Sequence, residues 1–209
     1  MTLTQSLLGF TLLAAVVAVT PGLDTVLVLR QALREGRRTA FAAAAGIGVG
    51  ALLWGIAAAA GIAALFVASQ VAYTALRWAG VFFLLYLAWT YLRAAFRGGE
   101  PHADLTAGAP TTAREAFLKG LLTDLLNPKM AVFCLTVLPL FLPAGYPPVL
   151  AGAILAGVHV LVAFAWFTVV ILSAHAVRGF LTSRRGARVI DGSAGVAMLG
   201  FGLVLGLER

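Results

Sequence analysis

This 209-residue sequence has little charge, almost no cysteine and only one long polar stretch. Charged residues make up 11% of the chain against 61% hydrophobic ones, and the mean hydropathy is +0.98. A soluble domain exposes far more charge than that. The composition therefore excludes a soluble enzyme or binding module and leaves an all-α integral membrane protein. The single cysteine, Cys134, lies within an apolar run. It excludes an intrachain disulfide, a thiol redox pair and a cysteine metal cluster, and it reads as a buried small hydrophobe. His102, His159 and His175 are scattered, so no imidazole metal site is expected. No P-loop, nucleophile elbow or dinucleotide fingerprint is present, so no cofactor is expected either.

What the chain does have is apolar length. A transmembrane helix needs about 20 apolar residues. Six stretches qualify, near residues 4–29, 40–67, 77–96, 118–142, 148–173 and 190–207. The first has no basic residue ahead of it and is too long for the apolar region of a signal peptide, so it reads as a retained span. The basic residues set a topology. Arg30, Arg34, Arg37 and Arg38 follow the first span. Arg93, Arg97, Arg114 and Lys119 surround the linker between the third and fourth. Arg178, Arg184, Arg185 and Arg188 separate the fifth and sixth. Positive loops stay in the cytoplasm, which predicts both termini outside. The formal net charge of +7 is thus spread over alternate loops, and no separate basic domain exists to bind nucleic acid.

Two short breaks interrupt the apolar stretches. One is Thr20-Pro21-Gly22-Leu23-Asp24; the other is Asn127-Pro128-Lys129, with Asp124 just ahead of it. Proline removes a backbone donor and clashes with the preceding turn, which frees carbonyls there, and Gly22 permits unusual backbone angles. A charge near mid-membrane costs at least about 2.5–3.5 kcal/mol on insertion scales, so Asp24 and Lys129 should face a protein interior or a wet cavity. Asp24 is the natural counter-ion for Lys129, and Asp124 is the second candidate. Asn127 offers a donor and an acceptor to a zwitterion. His159, inside the fifth span, could relay protons, although a lone helical histidine is more often a core residue. Asp24 could equally be a surface-seeking carboxylate on a kinked helix, and Lys129 half of a purely structural ion pair.

The halves look like copies. With Pro21 set on Pro128, Phe10 falls on Phe117 and Gly50 on Gly157. Ala79-Gly80-Val81 matches Ala194-Gly195-Val196. Three spans per half make the copies inverted, and inverted repeats with interrupted helices place a transport site at the repeat interface. The expected organisation is a first repeat over 1–97, a cytoplasmic linker over 98–115 (including the polar Gly98–Thr112 stretch) and a second repeat over 116–209. Gly46 and Gly50 form a GxxxG pair for close helix packing.

These residues resemble the lysine exporter (LysE/RhtB) family of bacterial amino-acid exporters over nearly the whole chain. The likeness rests on Thr-Pro-Gly-Leu-Asp at 20–24, the arginine-rich loop followed by Gly46–Gly50, Gly80 with Tyr86-Leu87-Ala88-Trp89, Asn127-Pro128-Lys129, and Leu138-Pro139 with Phe141. Leu23 departs from the family's usual second proline. The resemblance implies a multi-pass protein of a bacterial cytoplasmic membrane that exports small or neutral amino acids, driven by protons, and no enzyme. It also implies that Asp24, Asn127, Pro128 and Lys129 matter. The expected partners are an amino-acid substrate, protons and membrane lipid, with a homodimer as candidate assembly. In this reading Asn127 and freed backbone dipoles bind the zwitterion and Asp24 exchanges a proton. The alternative from the same superfamily is a cation or metal exporter using Asp24 and Asp124; the lack of a cysteine or histidine cluster counts against soft metals. A membrane-embedded enzyme lacks a convergent acid, base and nucleophile, and a scaffold has little use for mid-membrane charge.

Overall fold

The computed structural model describes residues 2–20, 22–68, 70–97, 112–143, 145–181 and 183–207, and every regular element among them is helical. Pro21, the polar linker over 98–111 and His102 lie outside the described residues.

The first apolar stretch is two helices, α1 (Leu3–Val19) and α2 (Leu23–Arg34), bent by 56°. The Thr2 hydroxyl accepts from the Gln5 backbone N–H, and the Gln5 side chain accepts from the Thr2 N–H, so α1 starts on a capping box. Arg34 sits in the last turn of α2, where it favours the carbonyl end, and Gly36 at φ +89 then turns the chain. The glycine is required there, because side chains rarely adopt that angle. Helix α3 (Arg37–Ala68) and helix α4 (Gln70–Phe96) follow.

The second half begins with α5 (Ala113–Leu125), opened by a second capping box between Thr112 and Glu115. The Thr112 N–H holds the Glu115 carboxyl below its usual value at this aqueous helix end. A short helix, α6 (Pro128–Val132), runs into a π-helical turn (Phe133–Val137) and a 3₁₀ turn (Leu138–Phe141). Pro128 sits at the start of α6, where a missing N–H costs nothing. α5 and the segment over Lys129–Phe141 again meet at 56°. Helices α7 (Pro148–Leu172), α8 (Ala174–Leu181) and α9 (Arg184–Leu207) complete the chain.

By length and composition, Arg37–Gly61 and Pro148–Leu172 can each cross a membrane, and each bent pair passes when taken as one span. The predicted stretches 77–96 and 190–207 fall within α4 and α9, which pack against each other. The short helix α8 occupies a region read from sequence as loop.

α3 is the centre of the bundle and packs most extensively on α5 and α7. The reason is small residues. A Cβ on Gly46 would lie 2.0 Å from the Phe117 carbonyl oxygen, and one on Gly120 would lie 2.1 Å from that of Ala43. Backbone meets backbone at this α3–α5 crossing, as small residues allow inside membranes. Against α7, Gly55 meets Ala156 and Gly152 meets Ala59. α1 also packs on α7, less extensively than α5 packs on α3.

Candidate functional site

The two breaks touch. The Asn127 Nδ2 donates to Asp24 Oδ2 at 2.8 Å, joining residues 103 apart in sequence. The Asn127 Oδ1 accepts from the Lys129 backbone N–H at 3.0 Å, which caps α6. One asparagine thus starts a helix with its oxygen and holds the opposite break with its nitrogen. The Lys129 ammonium donates to the Val17 carbonyl at 2.8 Å and the Thr20 carbonyl at 3.1 Å. These carbonyls end α1, where no later N–H of that helix reaches them. The break in the first span therefore supplies the acceptors that a lysine at membrane depth needs. Asp24 lies within electrostatic reach of that ammonium.

Gly22 sits with φ −156, an extended conformation that other residues adopt readily. Gly22 thus does not use the unusual backbone angles that a glycine permits; it lies extended in the break between α1 and α2. A Cβ on Gly22 would lie 3.8 Å from Lys129 Nζ, an ordinary contact facing the site.

A cavity of about 30 Å³ adjoins this network, lined by Gly22, Asp24, Asp124, Lys129 and His159 together with apolar side chains from α1, α3 and α7. That volume holds about one water and no amino acid. Five of the sequence-predicted ionisable or polar-break residues line it, and Asn127 holds Asp24 beside it. Asp124, on α5, is fully buried, and both of its carboxylate oxygens lack a hydrogen-bond partner among the described residues. His159 is buried with its ring centroid 5.2 Å from that of Phe133, and its Nδ1 likewise has no partner among the described residues. His175 is exposed, away from the cavity lining.

Through Phe133, His159 adjoins a packed aromatic group. Phe10 lies 5.7 Å from Phe133 and 5.7 Å from Phe141, ring centre to ring centre, within a buried cluster that includes Cys134. Phe133 and Phe141 ride on the π and 3₁₀ turns. Phe167, Ile171 and Val28 belong to a smaller apolar cluster.

Sequence reasoning missed several of these participants. The Val17 and Thr20 carbonyls are backbone groups, and their only signal was the proline that follows. The irregular helix over 133–141 had Pro139 as its one visible mark. Trp54 donates its indole N–H to the Leu125 carbonyl at 3.3 Å and so satisfies a carbonyl at the end of α5. Asp191, on α9, is fully buried with Tyr91 of α4 in electrostatic range, and is not among the cavity-lining residues. Among the described residues, no group of three or more His, Cys, Asp or Glu is placed to hold a metal ion.

A family model described as LysE type translocator matches residues 15–209. The chain is 30% identical over 203 residues to a threonine efflux protein of Salmonella typhi, covering 93% of this chain and 94% of that protein. It is 30% identical over 198 residues to a threonine efflux protein of Escherichia coli (strain K12), with the same coverage. It is also 25% identical over 209 residues to a membrane protein of Bacillus subtilis (strain 168), YrhP, covering 98% of this chain and all of that protein. No solved structure matches the chain.

Proposed function

Because the chain belongs to the LysE type translocator family, a family of transporters rather than enzymes, we propose that it exports a small neutral amino acid from the cytoplasm in exchange for protons. Threonine is the first candidate, since the curated relatives at 30% identity are named for its efflux. The observation that carries this reading is the network that ties the two breaks together: Asn127 to Asp24, and Lys129 to the Val17 and Thr20 carbonyls. A zwitterion carries one cation and one anion, and this network has a matching partner for each. The Lys129 ammonium receives the substrate carboxylate, and the Asp24 carboxylate with the freed carbonyls receives the substrate ammonium. Asp24 Oδ2 already accepts from Asn127, so the carboxylate is held in place as an acceptor for that ammonium.

The cavity is too small for an amino acid, so transport requires the site to widen and to open to each side in turn. The equal bends of the two broken pairs support two inverted three-helix repeats that rock about the site. In this scheme the Phe10, Phe133 and Phe141 group is the outer gate. In this reading the basic residues that follow α2 and flank α8 face the cytoplasm, as the positive-inside rule favours, and both termini lie outside the cytoplasmic membrane. The cation-exporter alternative has Asp24 and Asp124 as ligands, but the Lys129 ammonium beside them opposes a metal cation.

The test is dipeptide feeding. Cells with and without the protein are loaded with threonine-containing dipeptides, and free threonine outside is followed. A protein-dependent rise that vanishes in Asp24→Asn is expected. No rise for threonine or for any other neutral amino acid, with protein-dependent metal tolerance instead, would overturn the proposal.

A further inference from the structure

The residue that the substrate network leaves unused is Asp124. Its side chain is fully buried, yet neither carboxylate oxygen has a hydrogen-bond partner among the described residues. Asp24, by contrast, accepts from Asn127. α3 presses on Asp124 with glycine: a Cβ at Gly50 would lie 2.7 Å from its Oδ2. The carboxyl group is therefore sealed on one side by backbone and open on the other to the cavity that Asp24 and Lys129 line.

Buried polar groups are almost always paired, and an ionised carboxylate in this position needs a cation. The groups facing it are few. α2 contributes Asp24, α6 contributes Lys129, α7 contributes His159, and the π turn contributes Cys134. α3 has no ionisable residue beyond Arg37 and Arg38 at its first turn, and on α5 itself the nearest charge is Lys119, five residues earlier. The one ammonium lining the cavity is already bound to two carbonyls and in electrostatic range of Asp24. With both acids ionised the pocket carries an uncompensated negative charge; with one protonated it is neutral. The carboxyl without partners is the one that takes the proton.

We propose that Asp124 is the coupling site: it holds a proton when the substrate site is empty, and when the site is filled it shares with Asp24 the substrate ammonium, whose charge replaces that proton. This rests on the amino-acid export reading and deepens it. The proton and the ammonium compete for one carboxyl group. Entry of the zwitterion from the cytoplasm releases the Asp124 proton to water, and departure of the substrate outside lets a new proton bind. The two ligands exclude each other, so neither full transit occurs without the other.

The experiment uses the full chain in detergent with L-threonine as probe, recording binding by calorimetry and proton release with a pH indicator dye in weak buffer. Wild type is expected to release about one proton per bound threonine, and threonine affinity is expected to fall as pH drops, approaching tenfold per pH unit. Asp124→Asn is expected to bind threonine more weakly, release no proton and lose the pH dependence. If Asp124→Asn does not fold, Asp124→Glu takes its place, and a shifted midpoint of the affinity–pH curve is expected. Wild-type binding without proton release, undiminished release from Asp124→Asn, or an unmoved midpoint in Asp124→Glu would each overturn the assignment of Asp124 while leaving export intact. Failure of wild type to bind threonine or any other neutral amino acid would overturn the export reading, and this inference with it.

Discussion

Gly46→Ala is the perturbation whose cost the structure specifies most directly. The added Cβ would lie 2.0 Å from the Phe117 carbonyl oxygen and 2.8 Å from the Leu121 nitrogen. Ordinary contact begins at 3.4 Å, so α3 and α5 would have to part by about 1.4 Å at this crossing. Both obstructing atoms are backbone, so no rotamer change relieves the clash. Overpacking typically costs about 1–3 kcal/mol, and a backbone obstacle belongs at the upper end of that range. At about 3 kcal/mol, and about 2–4 °C per kcal/mol for a chain of this size, melting should fall by about 6–12 °C. Gly120→Ala meets the Ala43 carbonyl at 2.1 Å across the same crossing and should cost about as much. One separation of the helices relieves both clashes, so the double variant should cost clearly less than the two singles together. Gly61→Ala is the control: nothing lies within 4 Å of its added Cβ, and replacing a helical glycine gains up to about 1 kcal/mol. Thermal melting of the purified chain in one detergent reads all four variants. Gly46→Ala melting with wild type, or strict additivity in the double variant, would refute the packing argument. Export should fall in Gly46→Ala as well, because Gly50 and Asp124 meet one turn further along the same crossing.

Asn127→Ala should lose the α6 cap, worth about 1 kcal/mol, and export with it. Asn127→Asp keeps the capping oxygen but turns the donor facing Asp24 into a second carboxylate, so it should retain the fold and lose threonine binding; melting and calorimetry separate the two effects. Lys129→Met leaves the Val17 and Thr20 carbonyls and Asp24 without their cation, which should cost about 3–5 kcal/mol and abolish export. Substituting Asp24→Asn in that background should recover part of the lost melting temperature, and no recovery would show that the two residues are uncoupled. Phe133→Ala removes the ring shared by Phe10 and His159 and should cost about 3–5 kcal/mol, with a raised downhill leak of threonine from loaded vesicles.

The membrane class, the helical content and the two breaks were legible in the sequence because each follows from local chemistry. Long apolar runs require helices, since an unpaired backbone group is too costly in lipid. Proline at 21 and 128 beside Asp24 and Lys129 marks an interruption whatever lies across from it. Family membership was legible for a related reason: the motifs that carry it sit at these breaks.

Other features depended on what meets what in space. Gly22 offered backbone freedom in the sequence, and in space it has extended angles and faces Lys129. Lys129 looked like half of an ion pair, and its hydrogen bonds go to main-chain carbonyls, which are the same in every sequence. Asp124 looked like a spare counter-ion beside a motif. Only the close α3–α5 crossing, set by Gly46 and Gly120, places it without a partner against Gly50. The sequence by itself determined where the chain is apolar, bends and carries charge, because hydropathy, proline geometry and desolvation act within a few residues. Tertiary structure alone decided that Asn127 meets Asp24 while neither oxygen of Asp124 finds a hydrogen-bond partner among the described residues, because pairing depends on contacts between segments some hundred residues apart.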